Sequence, residues 1–154
     1  MNSNWINWIA NPTLWSAIVG WLLAQIIKII CFVVSKHKLN FTYLITPGGM
    51  PSAHSTMAGA LVTSVAIRTG TANPLFAVTL AFAIVVMFDA QSVRRAAGLQ
   101  AKTLNQIVQE LFKTHRFPER RLGELLGHTP LEVFLGMILG IFVALLIHAI
   151  SGIV

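Results

Sequence analysis

The sequence predicts an all-α membrane protein, in which a bundle of about four transmembrane helices carries one amphipathic helix on its cytoplasmic side. Only 10% of the side chains are charged, whereas soluble domains have about 25%. The hydrophobic residues, 55% of the chain, are grouped in runs that approach the roughly 20 residues a helix needs to cross a bilayer. We expect residues 1–154 to form one membrane-embedded domain.

The first predicted span is Leu14–Val34, which follows Asn11 and Pro12. Aromatic rings tend to settle at headgroup depth. Four tryptophans lie near the start of this span: Trp5, Trp8, Trp15 and Trp21. No basic residue precedes the run, so we expect it to be retained rather than removed as a signal peptide.

The second and third predicted spans form a hairpin. A helix over Ser52–Thr71 has roughly the 20 residues that a span requires. The segment from Gly70 to Pro74 has the composition of a tight turn. The third span, Leu75–Phe88, then ends at Asp89, so the hairpin places Ser52 and Asp89 at the same membrane face.

An amphipathic helix is predicted in the polar stretch between Ala90 and Gly127. Its apolar residues recur at helical spacing; they are Leu104, Ile107, Val108, Leu111 and Phe112. Polar residues lie between them: Lys102, Gln106, Gln109 and Lys113. Such a helix lies in the membrane interface or packs on the bundle.

The last predicted span is Leu131–Val154. Gly136 and Gly140 within it form a pair of small residues four positions apart, which allows another helix to approach closely. We therefore predict a homodimer through these two glycines.

The charges predict the orientation. With four spans, ten of the eleven Lys and Arg residues fall at one membrane face, and only Arg68 falls at the other. Basic residues favour the cytoplasmic side, so we expect an integral protein of a bacterial inner membrane with this face in the cytoplasm. In so apolar a chain the net charge of +6 indicates anionic lipid or a phosphorylated substrate as partner, and no nucleic acid.

Eight polar residues that are scattered in the sequence share this face: Lys28, Ser52, His54, Asp89, Arg94, Arg95, His128 and Glu132. Cations, two imidazoles and a carboxylate are what phosphoryl transfer to a side chain requires, because the reaction needs charge neutralisation, a nucleophile and an acid. Gly48 and Gly49 precede a helix start, where unpaired N–H groups favour an anion. The pattern therefore indicates a phosphate site.

Several of these residues also have a purely structural interpretation. His54 can simply be a polar residue at the interface. Ser52 can cap a helix, and His128 can begin one with Glu132 in its first turn. Lys28 can extend its ammonium group to the interface, and Asp89 can pair with one of the neighbouring arginines. We favour that pairing for Asp89. We assign no role to the other three histidines, which are His37, His115 and His148.

Four motifs occur in order along nearly the whole chain: Gly48-Gly49-Met50-Pro51-Ser52-Ala53-His54-Ser55, Asp89-Ala90-x-x-Val93-Arg94-Arg95, Gly98-x-Gln100-Ala101 and Leu126-Gly127-His128-Thr129-Pro130. They resemble the divergent bacterial and plant branch of the type 2 phosphatidic acid phosphatase and vanadium haloperoxidase superfamily. The resemblance implies that His128 attacks phosphorus, that Glu132 orients it, and that His54 protonates the leaving alcohol and later activates water. Lys28, Ser52 and the amide of Ala53 would hold phosphate oxygens, without a metal or other cofactor.

The chain departs from the superfamily pattern at four places: no Arg-Pro follows seven residues after Lys28, Ala53 replaces a glycine, Glu132 replaces an aspartate, and Leu122 stands where the third motif has an arginine. Arg94 and Arg95 can supply the missing guanidinium groups. The resemblance implies an active site that faces outward, as in many lipid phosphatases of the superfamily. The charges here predict instead a site on the cytoplasmic side.

Three functions compete at this point. The first is a lipid phosphatase acting on phosphatidate, phosphatidylglycerophosphate or an isoprenyl diphosphate. The second is a non-catalytic protein that binds anionic lipid or phosphate on the same basic face. The third is a small-solute transporter, which is disfavoured because Lys28 alone is an ionisable residue clearly within a span.

Overall fold

The computed structural model describes residues 11–36, 49–111 and 127–152, and within these ranges the chain is entirely helical apart from short turns. The helices are α1 (Pro12–Lys36), α2 (Ala53–Thr69), α3 (Pro74–Phe88), α4 (Arg94–Leu111) and α5 (Pro130–Ile150). A π-helical turn, Asp89–Val93, joins α3 to α4. The all-helical fold class is therefore confirmed.

Among the described residues, three helical runs are long and apolar enough to cross a membrane: Pro12–Val34, Pro74–Glu110 and Pro130–Ile150. The second predicted span corresponds to α2, which has 17 residues and is not among them. The expected number of four transmembrane helices is therefore not confirmed.

Helix α2 lies at the centre of the bundle, where it packs against α5, α1 and α3. It begins after Ser52, whose hydroxyl accepts a hydrogen bond from the N–H of Ser55 at 3.4 Å, and it ends at Gly70, which has a φ of 78°. Its buried residues are mostly small: Ala53, Ser55, Thr56, Ala58, Gly59, Ala60, Ser64 and Val65. Because neighbouring helices rather than lipid cover these residues, α2 is less apolar than its neighbours.

Glycines allow α5 to lie directly on the backbone of α2. A Cβ atom on Gly140 would overlap the carbonyl oxygen of Thr56, and one on Gly136 would come within 2.5 Å of the carbonyl oxygen of Ser52. Gly59 of α2 makes the reciprocal contact with the backbone of Met137. Gly136 and Gly140 are therefore buried inside one chain, and the homodimer predicted through them has no surface there.

At the end of the bundle away from Ser52, a chain of polar side chains joins three helices. The Ser64 hydroxyl of α2 donates a hydrogen bond to the hydroxyl of Thr13 at 2.9 Å and lies 2.6 Å from Nε2 of His148. Arg68 donates to the side-chain oxygen of Asn11 at 3.2 Å in the same region. His148, one of the three histidines to which the sequence assigned no role, is fully buried and links α5 to α2.

The helix after the third span differs from the prediction. We expected α3 to end at Asp89 and a separate amphipathic helix to follow, but the chain stays helical from Pro74 to Leu111 through the π-helical turn. The amphipathic residues Leu104, Ile107 and Val108 lie on α4 and are exposed. Phe112 and Lys113, which were predicted to continue this helix, lie outside the described residues.

We predict that Gly140→Ala lowers the free energy of unfolding by about 1–3 kcal/mol, because the new methyl group meets the α2 backbone, which moves only if the helices separate. Gly20→Ala is the matched control, since its Cβ would lie 3.4 Å from the Cβ of Ala60, an ordinary contact. Unfolding of the purified variants by denaturing detergent measures both. Equal stability of the two variants would contradict the close α2–α5 contact.

We also predict that Ser64→Ala lowers the free energy of unfolding by about 1–3 kcal/mol, because the buried His148 loses its hydrogen-bond partner. Ser16→Ala is the control. Ser16 is equally buried, but its hydroxyl bonds only to the carbonyl of Pro12 in its own helix, at 2.7 Å. The same unfolding assay should show the smaller loss for Ser16→Ala. A loss for Ser64→Ala no larger than for the control would mean that the polar chain does not stabilise the bundle.

Candidate active site

The N-terminus of α5 positions the first part of the site. The Thr129 hydroxyl accepts a hydrogen bond from the N–H of Glu132 at 3.3 Å, and Oε2 of Glu132 accepts one from the N–H of Thr129 at 3.1 Å. This reciprocal pair is a capping box, and Pro130 supplies a favourable first residue of the helix. The carboxylate of Glu132 is thus fixed at the start of α5.

The same carboxylate oxygen lies 3.0 Å from Nδ1 of His128, whose side chain is nearly buried. The hydrogen bond expected from the spacing is therefore present. The helix-capping geometry, which was the structural alternative, is also present, because Glu132 makes both sets of hydrogen bonds.

This hydrogen bond has a chemical consequence for the imidazole. A neutral histidine that donates its Nδ1 proton to a carboxylate carries its lone pair on Nε2. Within the described ranges no hydrogen bond occupies that Nε2 atom. His128 is therefore held in the tautomer that a nucleophile or a general base requires.

The start of α2 lies against the start of α5. The N–H of Ser52 donates a hydrogen bond to the carbonyl oxygen of Glu132 at 3.1 Å. Ser52 and Ser55 are fully buried, and their hydroxyl oxygens are 3.0 Å apart. Ala53 is buried beside them, whereas His54 is exposed in the first turn of α2. The glycine-proline motif and the His128 motif thus meet directly through their backbones.

Lys28 of α1 joins this end of the bundle. Its side chain is only 8% exposed, and the ammonium group interacts electrostatically with Glu132. Its carbon stem runs beside Gly49, where a Cβ atom would lie 3.1 Å from Cε of Lys28. Gly49 also has a φ of +91°, a backbone conformation that residues with a side chain disfavour. Both the space beside Lys28 and the backbone conformation therefore favour glycine at this position. Lys28 therefore turns inward, not toward the lipid interface.

The π-helical turn contacts the site through its backbone. The N–H of His128 donates a hydrogen bond to the carbonyl oxygen of Ala90 at 3.0 Å, and Ala90 is buried. Asp89 is half-buried at the first position of the turn. Arg95 is exposed at the second position of α4, and the side chain of Arg94 lies outside the described residues. The pairing of Asp89 with either arginine stays a prediction.

The structure thus brings together most of the predicted residues: Lys28, Ser52, Ala53, His128 and Glu132. It leaves His54 at the surface of the same end and Arg95 on an exposed helix. Within the described ranges no group of three or more potential metal ligands occurs.

Sequence reasoning missed three contributors. The spacing of Thr129 and Glu132 is the sequence signature of a capping box and would have identified the reciprocal hydrogen bonds. The Ala90 carbonyl and the close contact of Gly49 with Lys28 leave no such signature, because both depend on how the helices pack.

Comparison with known proteins identifies the family of the chain. The chain matches the Divergent PAP2 family over residues 9–143. It is also similar to the Uncharacterized membrane protein YuiD of Bacillus subtilis (strain 168), with 40% identity over an alignment that covers 90% of this chain and 95% of that protein. No solved structure matches the chain. This chain, in which a hydrogen-bonded histidine–glutamate pair lies at the end of an apolar helical bundle, therefore belongs to the Divergent PAP2 family.

Proposed function

We propose that this protein is a membrane lipid phosphatase that hydrolyses a phosphate monoester or diphosphate of a lipid through a phosphohistidine intermediate. One observation carries the proposal. The carboxylate of Glu132, held by the Thr129 N–H, binds Nδ1 of the nearly buried His128 and leaves Nε2 with the lone pair. This is the arrangement by which a fixed carboxylate orients a histidine for reaction.

The reaction proceeds in two balanced steps. In the first, Nε2 of His128 forms a bond to phosphorus while the bond from phosphorus to the lipid oxygen breaks, and His54 gives that oxygen a proton. In the second, His54 takes a proton from water and the water oxygen forms a bond to phosphorus. The bond from phosphorus to Nε2 breaks, which returns the electron pair to His128 and releases inorganic phosphate. Glu132 stabilises the positive charge that His128 carries in each transition state.

The phosphate oxygens would be held at the N-terminus of α2. The amide of Ala53 and the hydroxyl of Ser52 lie at the positive end of this helix, which favours an anion. Lys28 adds a positive charge beside Glu132. Arg94 and Arg95 follow the turn that contacts His128 and would supply guanidinium groups in place of the arginines that the motifs lack.

The substrate follows from the proposed orientation. The excess of basic residues at this face supports a site on the cytoplasmic side of a bacterial inner membrane, because basic residues favour that side. Suitable substrates in that leaflet are phosphatidate, phosphatidylglycerophosphate and isoprenyl diphosphates.

A second candidate function is binding of anionic lipid or phosphate without hydrolysis. The exposure of His54 and Arg95 favours it, because an acid and a guanidinium group open to water stabilise a transition state less than enclosed groups do. This alternative predicts saturable binding of phosphatidate by the purified protein with no release of phosphate.

We predict that purified protein releases phosphate from one of these lipids in mixed micelles or vesicles. His128→Ala should abolish turnover, and His54→Ala should lower it by about 100- to 10,000-fold. With ³²P-labelled substrate, the native protein should carry a label that survives alkali and is lost in acid, as a phosphohistidine does. Full activity of both variants would refute the mechanism, and binding without turnover by the native protein would favour the second candidate.

We further predict that Glu132→Gln lowers turnover while the protein remains folded. Glutamine keeps the capping geometry of α5 but cannot offset the charge on His128. Glu110→Gln is the matched control, since it makes the same change on the exposed α4. The comparison measures phosphate release and unfolding for both variants. Equal turnover in both would show that the Glu132 carboxylate does not act on His128.

A further inference from the structure

Helix α4 has an apolar face that the described part of the chain leaves uncovered. Its packing contacts are made chiefly with the π-helical turn, and it makes no comparable contact with α1, α2 or α5 in the described ranges. Leu104, Ile107 and Val108 lie on one side of the helix and are 49%, 46% and 44% exposed. Lys102, Gln106 and Gln109 lie on the opposite side.

The length of the helical run limits where α4 can lie. The 37 residues of Pro74–Glu110 would extend about 55 Å as a helix, against about 30 Å of hydrocarbon. The 15 residues of α3 and the five of the π-helical turn together account for about 30 Å of that length. Helix α4 therefore begins at the membrane surface. The π-helical turn is a point where a helix can change direction.

The charge around α4 indicates what covers its apolar face. Between residues 94 and 121 the sequence has seven Lys and Arg residues and only two carboxylates, Glu110 and Glu119. This surplus repels a second copy of the same segment and attracts anionic headgroups. A basic amphipathic helix tethered to a span is the form that lies in a bilayer interface.

We propose that α4 docks on the surface of an anionic bilayer, with Leu104, Ile107 and Val108 among the acyl chains and Lys102 toward the headgroups. Because the carbonyl oxygen of Ala90 accepts a hydrogen bond from the N–H of His128, the π-helical turn that leads into α4 is fixed to the candidate active site. Docking therefore holds the site beside the anionic headgroups.

The experiment locates two positions of the full-length protein in lipid nanodiscs. Cys31, the chain's one cysteine, is first changed to serine, and Leu104→Cys or Gln106→Cys then carries an environment-sensitive fluorophore. The discs contain phosphatidylcholine with or without phosphatidylglycerol and hold either one copy or two copies of the protein. Iodide in the water and nitroxide groups on the acyl chains quench the fluorescence from the two sides.

In discs with phosphatidylglycerol, the label at residue 104 should be quenched by the nitroxide and protected from iodide, and the label at residue 106 should show the reverse. High salt should weaken the difference, and Lys102→Glu should lower the equilibrium constant for docking by roughly 25-fold, since each charge near such a surface contributes about fivefold. Lys102→Gln, which removes only one charge, should give about a fivefold loss.

Four results would overturn the proposal. Equal access of iodide to both labels would show that α4 stands in water. If the label at residue 104 were protected from iodide equally well in discs without phosphatidylglycerol, docking would not require anionic lipid. Protection that needs two copies in one disc would identify a second chain as the occupant. Shielding from both quenchers in single-copy discs would identify another segment of the chain. None of these results bears on phosphate release, because the labels report position and not turnover.

Discussion

The contact between α2 and α5 is the constraint on which the rest of the structure depends. Gly136 and Gly140 bring the two backbones to a separation at which no Cβ atom fits between them. At that separation the N–H of Ser52 reaches the carbonyl of Glu132. The glycine-proline motif that contains Ser52 and the His128 motif are adjacent only because α2 and α5 pack so closely.

Close backbone contact also explains the unusual composition of α2. A helix that faces lipid gains from large apolar side chains, whereas one enclosed by three others gains from side chains that allow approach. Helix α2 accordingly buries alanine, glycine, serine and threonine, and its hydroxyl groups bond to its own backbone or to neighbouring helices. Its low apolar content therefore reflects a central position in the bundle.

The parts of this fold that sequence could predict are those that depend on local pattern. The apolar runs identified α1, α3 and α5 to within a few residues, and the spacing of His128 and Glu132 predicted their hydrogen bond. The continuation of α3 into α4 was missed, because the polar residues after Asp89 look like a turn while the backbone remains helical through a π-helical turn.

Site residues contributed by packing were harder to predict than those contributed by motifs. Gly136 and Gly140 were correctly identified as a surface for close helix contact, but their partner was assigned to a second chain. Periodicity along one helix cannot tell which neighbour it touches. For the same reason the inward position of Lys28 against Gly49 could not be distinguished from extension toward the interface.

His148 of α5 and His128, two residues before that helix, show why burial alone does not identify a reacting group. His148 is more deeply buried than His128, yet its Nε2 meets the Ser64 hydroxyl, which donates its own proton to Thr13 and therefore accepts one from the imidazole. No carboxylate accepts from its Nδ1, which has no hydrogen-bond partner among the described residues. A positive charge on His148 would be buried without a counter-ion, whereas Glu132 is in place to balance one on His128. The proposed phosphoryl transfer to nitrogen creates that charge, so of these two histidines His128 is the one whose surroundings can balance it.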